Sequence, residues 1–486
     1  MIMKKIYFSL SLAFTFTVVQ AQQLVLVKDI RSGASGSSLS NLTGYNGKLY
    51  FSANDGLTGT ELWESDGTDA GTKIVQNFVT GSGSFNPTSL KVYSNALFFS
   101  GRVPTTGVGA ELYKYTPESG IALFADIFPG TTNSSPNLFV ESSDNKLYFK
   151  ATNPASNSVK LFVTDGIAAP AVANSQYYVS TMGRSGSEIL AGASLDGYDN
   201  QLYSFNGNTF SLLKTIRTSG PGIFDTSFYK SGLQGLTYFV GRTDEAGYEP
   251  WVTDGTAQGT HLLKDINTMG ENPSVSNSTS GYFTEYKGKV FFAATSGEYG
   301  GELWVTDGTT AGTVIFKDII AGTSGSNPSN LTLHNGLLYF LANDPAAGRE
   351  LWVTDGTADG THLVGDFNPG STGLSVTEMI SYNGTLYLNA TRSSTIGAEL
   401  YKFDAEPVLA VSEGKTSNIK VYPNPSNGIF KINSEKYRSY KIYDYSGKIV
   451  TDGKIINSEI NSGLKPGNYI LTLEGKYPQS TSIIIK

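Results

Sequence analysis

The sequence predicts an all-β chain: a ring of eight, alternatively seven, four-stranded sheets closed by a strand from the N-terminus, followed by a small β-sandwich. Three observations carry this. A unit of about 48 residues recurs through 22–404, the period range of ring-forming and solenoid repeats. Each unit holds a short aromatic strand at one register. The last unit stops one strand early, whereas the chain opens with a strand that belongs to no unit.

In chain order, residues 1–21 come first. Lys4 and Lys5 precede an apolar run over 6–19 and a small-residue end at Ala21, the pattern of a secretory signal cut before Gln22. The run of about 14 residues is shorter than the roughly 20 that span a bilayer, and no later stretch is long and apolar enough. LVLVKDI (24–30) then reads as the orphan strand. Within the units the second strand is clearest: KLYFSAN (48–54), ALFFSGR (96–102), KLYFKAT (146–152), EILAGAS (188–194), LTYFVGR (236–242), KVFFAAT (289–295), LLYFLAN (337–343) and TLYLNAT (385–391). A half-polar first strand precedes each, usually joined to it by a tight turn such as Asn46-Gly47, whose residues favour the positive φ values of a type I′ hairpin. The third strand carries Trp63, Trp251, Trp304 and Trp352, with Tyr113, Phe162, Tyr203 and Tyr401 at that position in the other units, as packing between neighbouring sheets requires. A fourth strand follows, hard to find only near 169–176. ELYKF (399–403) ends the last unit without one, and pairing it with 24–30 removes the open edge. The unit at 177–216, short and without Trp, is what keeps seven sheets open.

Between third and fourth strands four units carry Asp-Gly-Thr, at Asp66, Asp254, Asp307 and Asp355. Aspartate at the head of a turn accepts from backbone N–H groups two residues on, glycine takes the left-handed position and threonine closes the turn. The alternative is calcium, since carboxylates are hard oxygen ligands, but one acid per loop without a distal glutamate is a thin ligand set. These turns resemble the aspartate boxes of sialidase-type propellers. The series ELWVTDGT, with its LYF and KDI companions, resembles the ELWxxDGT repeats of secreted bacterial proteins. That resemblance implies a β-propeller and no defined activity. No other cofactor is expected.

With the fourth strand outermost, the turns 1–2 and 3–4 share one face and the long connections share the other. Long loops on a rigid frame are where binding is usually carried. Arg31, Arg102, Arg217, Arg242, Arg349 and Arg392 lie on that face. Arg102, Arg242 and Arg392 read as ends of equivalent second strands, a candidate grip for a carboxylate-bearing ligand such as an acidic sugar. The loop acids Asp55, Asp196, Asp244, Glu245, Glu271, Glu298 and Asp344 could supply a hydrolytic pair. His261, His334 and His362 read as exposed face or turn residues, none at ligand spacing to another histidine. No HExxH, GxSxG or phosphate-loop pattern occurs. The leading expectation is a non-catalytic, monomeric binder of a glycan or protein; the alternative is a secreted glycosidase or lyase using loop carboxylates.

Without cysteine the chain has neither disulfides nor thiolate sites. The formal charge of −7 becomes −9 once the two leader lysines are removed, and a tail (405–486) with 11 cations and 7 acids leaves −13 on 22–404. So acidic a body argues against nucleic acid as partner.

After a linker over 405–418, residues 419–486 form a module of alternating strands. YPNP at 422–425, D-x-x-G at 444–447 and GNY at 467–469 resemble the C-terminal sorting domain of type IX secretion substrates of Bacteroidetes. Tyr422, Pro423, Asn424 and Pro425 match its first element, Asp444 and Gly447 its second, Gly467 and Tyr469 its third. The resemblance implies the type IX machinery as partner, passage through the periplasm, and release or surface attachment.

Overall fold

The computed structural model describes residues 23–404 except 80, 224–227, 269–280, 371–372 and 393–394, and 421–485 except 425, 433–436, 444–448 and 475–478. The expected signal (1–21), the linker (405–418), Glu271, Pro425, Asp444 and Gly447 lie outside the described residues. The chain forms two compact units, Met1–Asp404 and Ala405–Lys486.

Among the described residues of 23–404 there are eight four-stranded antiparallel sheets, numbered here 1 to 8 in chain order. Sheets 1 to 7 each take four consecutive strands, as in sheet 1: Ser40–Tyr45, Lys48–Asn54, Thr60–Ser65 and Lys73–Ile74. The short sheet 4, from Tyr178–Ser185 to Phe210–Lys214, is complete. Hairpin chemistry sets the first turn of several sheets. Asn46 and Gly47 adopt φ of 46° and 79°, and Asn335–Gly336 and Asn383–Gly384 repeat this, the mirror-image turn that matches strand twist.

First strands of successive sheets touch in chain order. Between sheets 5 and 6 the link runs through Thr237–Thr243, and the first strand of sheet 8 touches that of sheet 1. Side chains stitch this inner ring: the Glu378 carboxylate of sheet 8 accepts from the Asn41 and Leu42 N–H groups of sheet 1 at 2.8 and 2.7 Å, and Asn41 Oδ1 accepts from Ser89 N of sheet 2 at 3.0 Å.

Sheet 8 supplies three strands, Ser375–Tyr382, Thr385–Thr391 and Glu399–Asp404; its fourth is Gln23–Lys28. Gln23 pairs with Asp404 and Leu26 with Tyr401, antiparallel. The ring thus closes with one strand from the start of the chain.

Cores lie between sheets. The four tryptophans are buried, each opposite an aromatic of the second strand: Phe51 with Trp63, Phe239 with Trp251, Phe292 with Trp304, Phe340 with Trp352. In the second unit, strands Val421–Tyr422, Ile429–Ile432 and Glu459–Asn461 form one sheet, and four strands including Ser439–Tyr443 and Gly467–Glu474 another. Phe430, Ile432, Ile442, Ile460 and Leu471 are buried between them.

Candidate functional site

The Asp-Gly-Thr turns form one hydrogen-bond unit used four times. Asp307 Oδ1 accepts from Thr309 N at 2.9 Å and from its hydroxyl at 2.7 Å; Thr309 Oγ1 accepts from Gly312 N, and Thr313 Oγ1 donates to Thr309 O at 2.6 Å. Thr306 and Thr313 share a buried hydroxyl contact at 2.7 Å. Asp66, Asp254 and Asp355 repeat the pattern. A side chain at Gly312 would overlap the Asp307 carboxylate, hence the second glycine of DGT-x-x-GT. The threonine hydroxyl holds each of these carboxyls below the usual range, with the backbone N–H adding to it. Among the described residues no group of three His, Asp or Glu stands close enough to hold a metal ion. Asp307→Ala is expected to lower unfolding free energy by about 0.5–2 kcal/mol, read by denaturant titration, with a melting temperature unmoved by chelator. A large chelator effect would make these turns metal sites.

A second repeated element escapes the sequence reading. The glutamate two residues before each ring position, at Glu61, Glu111, Glu249, Glu302, Glu350 and Glu399, is fully buried at 0% exposure. Its carboxylate accepts backbone N–H groups from the connection that leaves the fourth strand. Glu302 takes Ile319, Ile320 and Ser326 N at 3.1, 3.1 and 2.8 Å and the Ser326 hydroxyl at 2.6 Å; Glu350 takes Phe367 and Asn368 N at 3.2 Å each. Glu399 does the same for Ile30 and Arg31 of the closing strand. Sheet 3 has buried Lys160 here and sheet 4 has Gln201.

Burial pushes Glu61 and Glu350 up to about 7, against the N–H bonds that pull them down, and raises Glu111, Glu302 and Glu399 as well. A carboxyl raised in the folded state binds its proton more tightly there. Its contribution is complete below the ordinary glutamate range and is lost as pH rises through about 7 for these two. The lowered turn aspartates act oppositely, losing theirs as pH falls through their folded values. Melting temperature should therefore peak on the acid side of neutrality and fall by several degrees toward pH 8.5. A profile rising steadily to pH 8.5 would refute this role.

The structure does not gather the candidate arginines. Arg102, Arg242 and Arg392 stand in sheets 2, 5 and 8, with at least one whole sheet between any two. Arg392 is also one residue out of register. Counting from the residue opposite the ring position, Arg102 follows Phe99 by three and Arg242 follows Phe239 by three, but Thr391, not Arg392, follows Leu388 by three. One residue reverses the pleat, so the expected equivalence fails. Arg392 Nε and Nη1 donate to the Phe367 and Leu24 carbonyls at 3.0 and 2.9 Å, tying the closing strand. The Arg242 guanidinium lies 5.1 Å from the centre of the Tyr248 ring. Arg102 is exposed.

Three of the loop acids, Asp55, Asp196 and Asp344, brace their own loops. Asp55 Oδ1 accepts from Leu57 N, Thr58 N and the Thr58 hydroxyl, Asp196 from Tyr198 and Asp199 N, and Asp344 from Ala346 and Ala347 N. Asp244 pairs with Arg217 Nε at 2.6 Å. Of the histidines, His261 and His362 are exposed, but His334 is buried, against expectation. Its Nδ1 meets Ser381 Oγ at 2.9 Å and its Nε2 meets Asn335 Nδ2 at 3.0 Å, because this first-strand end is covered by sheet 8. Burial lowers its pKa. In the tail, Tyr422 and Pro423 share a cis peptide bond, Asn424 follows, and the Gly467 Cα faces the Tyr469 ring, whose hydroxyl donates to Lys465 O at 3.0 Å.

Residues 420–486 match the secretion system C-terminal sorting domain. The tail is therefore a type IX sorting domain, and the chain is exported to the cell surface or the extracellular space. No curated protein matches the chain. Among solved structures it is similar to a prolyl endopeptidase, at 12% identity and a TM-score of 0.43, over 75% of this chain and 55% of that one. It is also similar to the β-propeller domain of the Trilobed protease from Pyrococcus furiosus, at 11% identity and a TM-score of 0.39, over 68% and 99%. Oligopeptidase B from Leishmania major aligns at 9% identity and a TM-score of 0.40, over 74% and 53%. The chain thus spans about half the length of the first of these. The body is a β-propeller by its own sheets and their closed order. Among the described residues no helix is long and apolar enough to cross a membrane.

Proposed function

We propose that the body is an exported, non-catalytic propeller of the ELWxxDGT-repeat kind that binds a glycan or protein through its long-loop face. The observation that carries this is the state of its carboxylates. A glycosidase needs an accessible pair with one member raised to act as acid. Here Asp55 and Asp196 are lowered by hydrogen bonds within their own loops, and Asp244 by Ser219 and Arg217 of the connection after sheet 4. The glutamates raised by burial are sealed from solvent, and each accepts backbone N–H groups. The lowered loop acids are poor proton donors and the raised glutamates are out of reach, so these two groups together supply no accessible pair.

The opposite face is closed by turns whose polar groups bond one another, which leaves the long connections as the adaptable surface. The mature chain, incubated with a panel of soluble polysaccharides, should bind at least one by affinity electrophoresis without releasing reducing ends. Reducing-end release that is abolished by substituting a loop carboxylate would replace this reading with the enzymatic one.

A further inference from the structure

Sheet 4 departs from the repeat where the buried glutamate should be. Gln201 stands there, and its amide does what a carboxylate cannot. Oε1 accepts from Ile216 and Arg217 N at 2.8 and 3.2 Å, as the glutamates do, while Nε2 donates to the carbonyls of Arg217 and Gly220 at 2.9 and 3.2 Å. A carboxylate has no proton for those carbonyls, so the path of 216–220 depends on the amide. That path carries Arg217 and Ser219 to Asp244 of sheet 5: Arg217 Nε donates to Asp244 Oδ1 at 2.6 Å and the Ser219 hydroxyl to Oδ2 at 2.7 Å.

Beside this group stands Tyr198, 68% exposed. A point one bond out from the Gly220 Cα lies 3.3 Å from Arg217 Nη1 and 4.0 Å from Tyr198 Cε1, so guanidinium and ring flank one spot. The ring is held out by a braced turn: Asp196 Oδ1 accepts from Tyr198 and Asp199 N at 2.9 and 3.0 Å, and Asn200 N donates to Tyr198 O at 2.9 Å. A large aromatic kept in water by a fixed loop has an apolar face available without an ordering penalty.

We propose that Tyr198, Arg217, Ser219 and Asp244 form a saccharide-binding platform on the long-loop face. A pyranose has the two surfaces this group matches. Its C–H face packs on the phenol ring, and its vicinal hydroxyls meet the fork of Arg217 and the free lone pairs of Asp244. Gln201 is a positioning residue, acting through the loop it holds. The platform rests on the binding reading above and names its place and ligand class.

The test uses the mature chain and immobilised hexasaccharides of cellulose, xylan, laminarin, chitin and homogalacturonan, with dissociation constants measured by calorimetry for any that bind. At least one is expected to bind. Tyr198→Ala, which opens no core, should weaken it tenfold or more with an unchanged melting temperature, and Tyr198→Phe should stay within about threefold of wild type. Asp244→Asn should weaken binding comparably. Hexasaccharide binding that survives both Tyr198→Ala and Asp244→Asn would overturn the platform and leave glycan binding elsewhere on the face intact. No binding to any of the five would overturn the platform, while binding by the mature chain to a protein would preserve the broader reading.

Discussion

Deleting Gln22–Ile30 should leave a body that melts far below the full chain or aggregates on purification. The strand removes more than an edge when it goes. Leu24, Val27 and Ile30 are buried, and at roughly 1.5–3 kcal/mol per apolar side chain their loss alone is on the order of 5–9 kcal/mol. Glu399, at 0% exposure, would lose the N–H donor of Ile30. Arg392 would lose the Leu24 carbonyl. Native domains are stable by about 5–15 kcal/mol in total, so these losses are comparable with the whole. The exposed flank of Glu399–Asp404 would also be a free edge able to recruit another chain. Thermal melts with light scattering read both effects, and adding a peptide of residues 22–31 should restore part of the loss by strand complementation. A deletion variant with a wild-type melting temperature and no scattering would remove the clasp from this picture.

What the sequence displayed and what it concealed follow from the same repetition. Strands, hairpin turns and the closing strand were legible because glycine, asparagine and aromatic residues act locally. The Asp-Gly-Thr turn was legible because all its partners lie within seven residues, from Thr306 to Thr313. The buried glutamates were not, because in E-L-W the acid reads as the polar member of an alternating strand. Its partners lie 17 to 24 residues on, beyond the fourth strand, too far for a local pattern to link them to it. The available signal was that the acid kept its register in six units and that a serine recurs in the connections it meets, as Ser134 and Ser326 do. The arginine grouping failed for a geometric reason. Equivalent positions in a ring are related by rotation, so matching repeats against one another finds residues that are alike, not residues that meet. Convergence has to come from neighbouring sheets, as with Arg217 of the connection after sheet 4 and Asp244 of sheet 5.

Glu302→Ala should be strongly destabilising for a single substitution in the body. Four donors converge on this carboxylate: the Ile319, Ile320 and Ser326 N–H groups and the Ser326 hydroxyl, the last two at 2.8 and 2.6 Å. Truncation leaves them facing a cavity at a site of 0% exposure, where each orphaned donor costs about 1–3 kcal/mol. Relaxation of the loop recovers part of this, so the expected loss is roughly 3–6 kcal/mol, measured by denaturant unfolding. Glu302→Gln separates chemistry from volume. It fills the space but turns an N–H₂ group toward donors, and should lose about 1–3 kcal/mol. The reciprocal change sharpens the test. Gln201→Glu sets an acceptor against the Arg217 and Gly220 carbonyls, now 2.9 and 3.2 Å from a donor, and should destabilise sheet 4 although it restores the residue found in six other sheets. If Glu302→Gln and Gln201→Glu both unfold with wild-type free energies, the position is filled for size alone, and its hydrogen bonds do not decide which residue stands there.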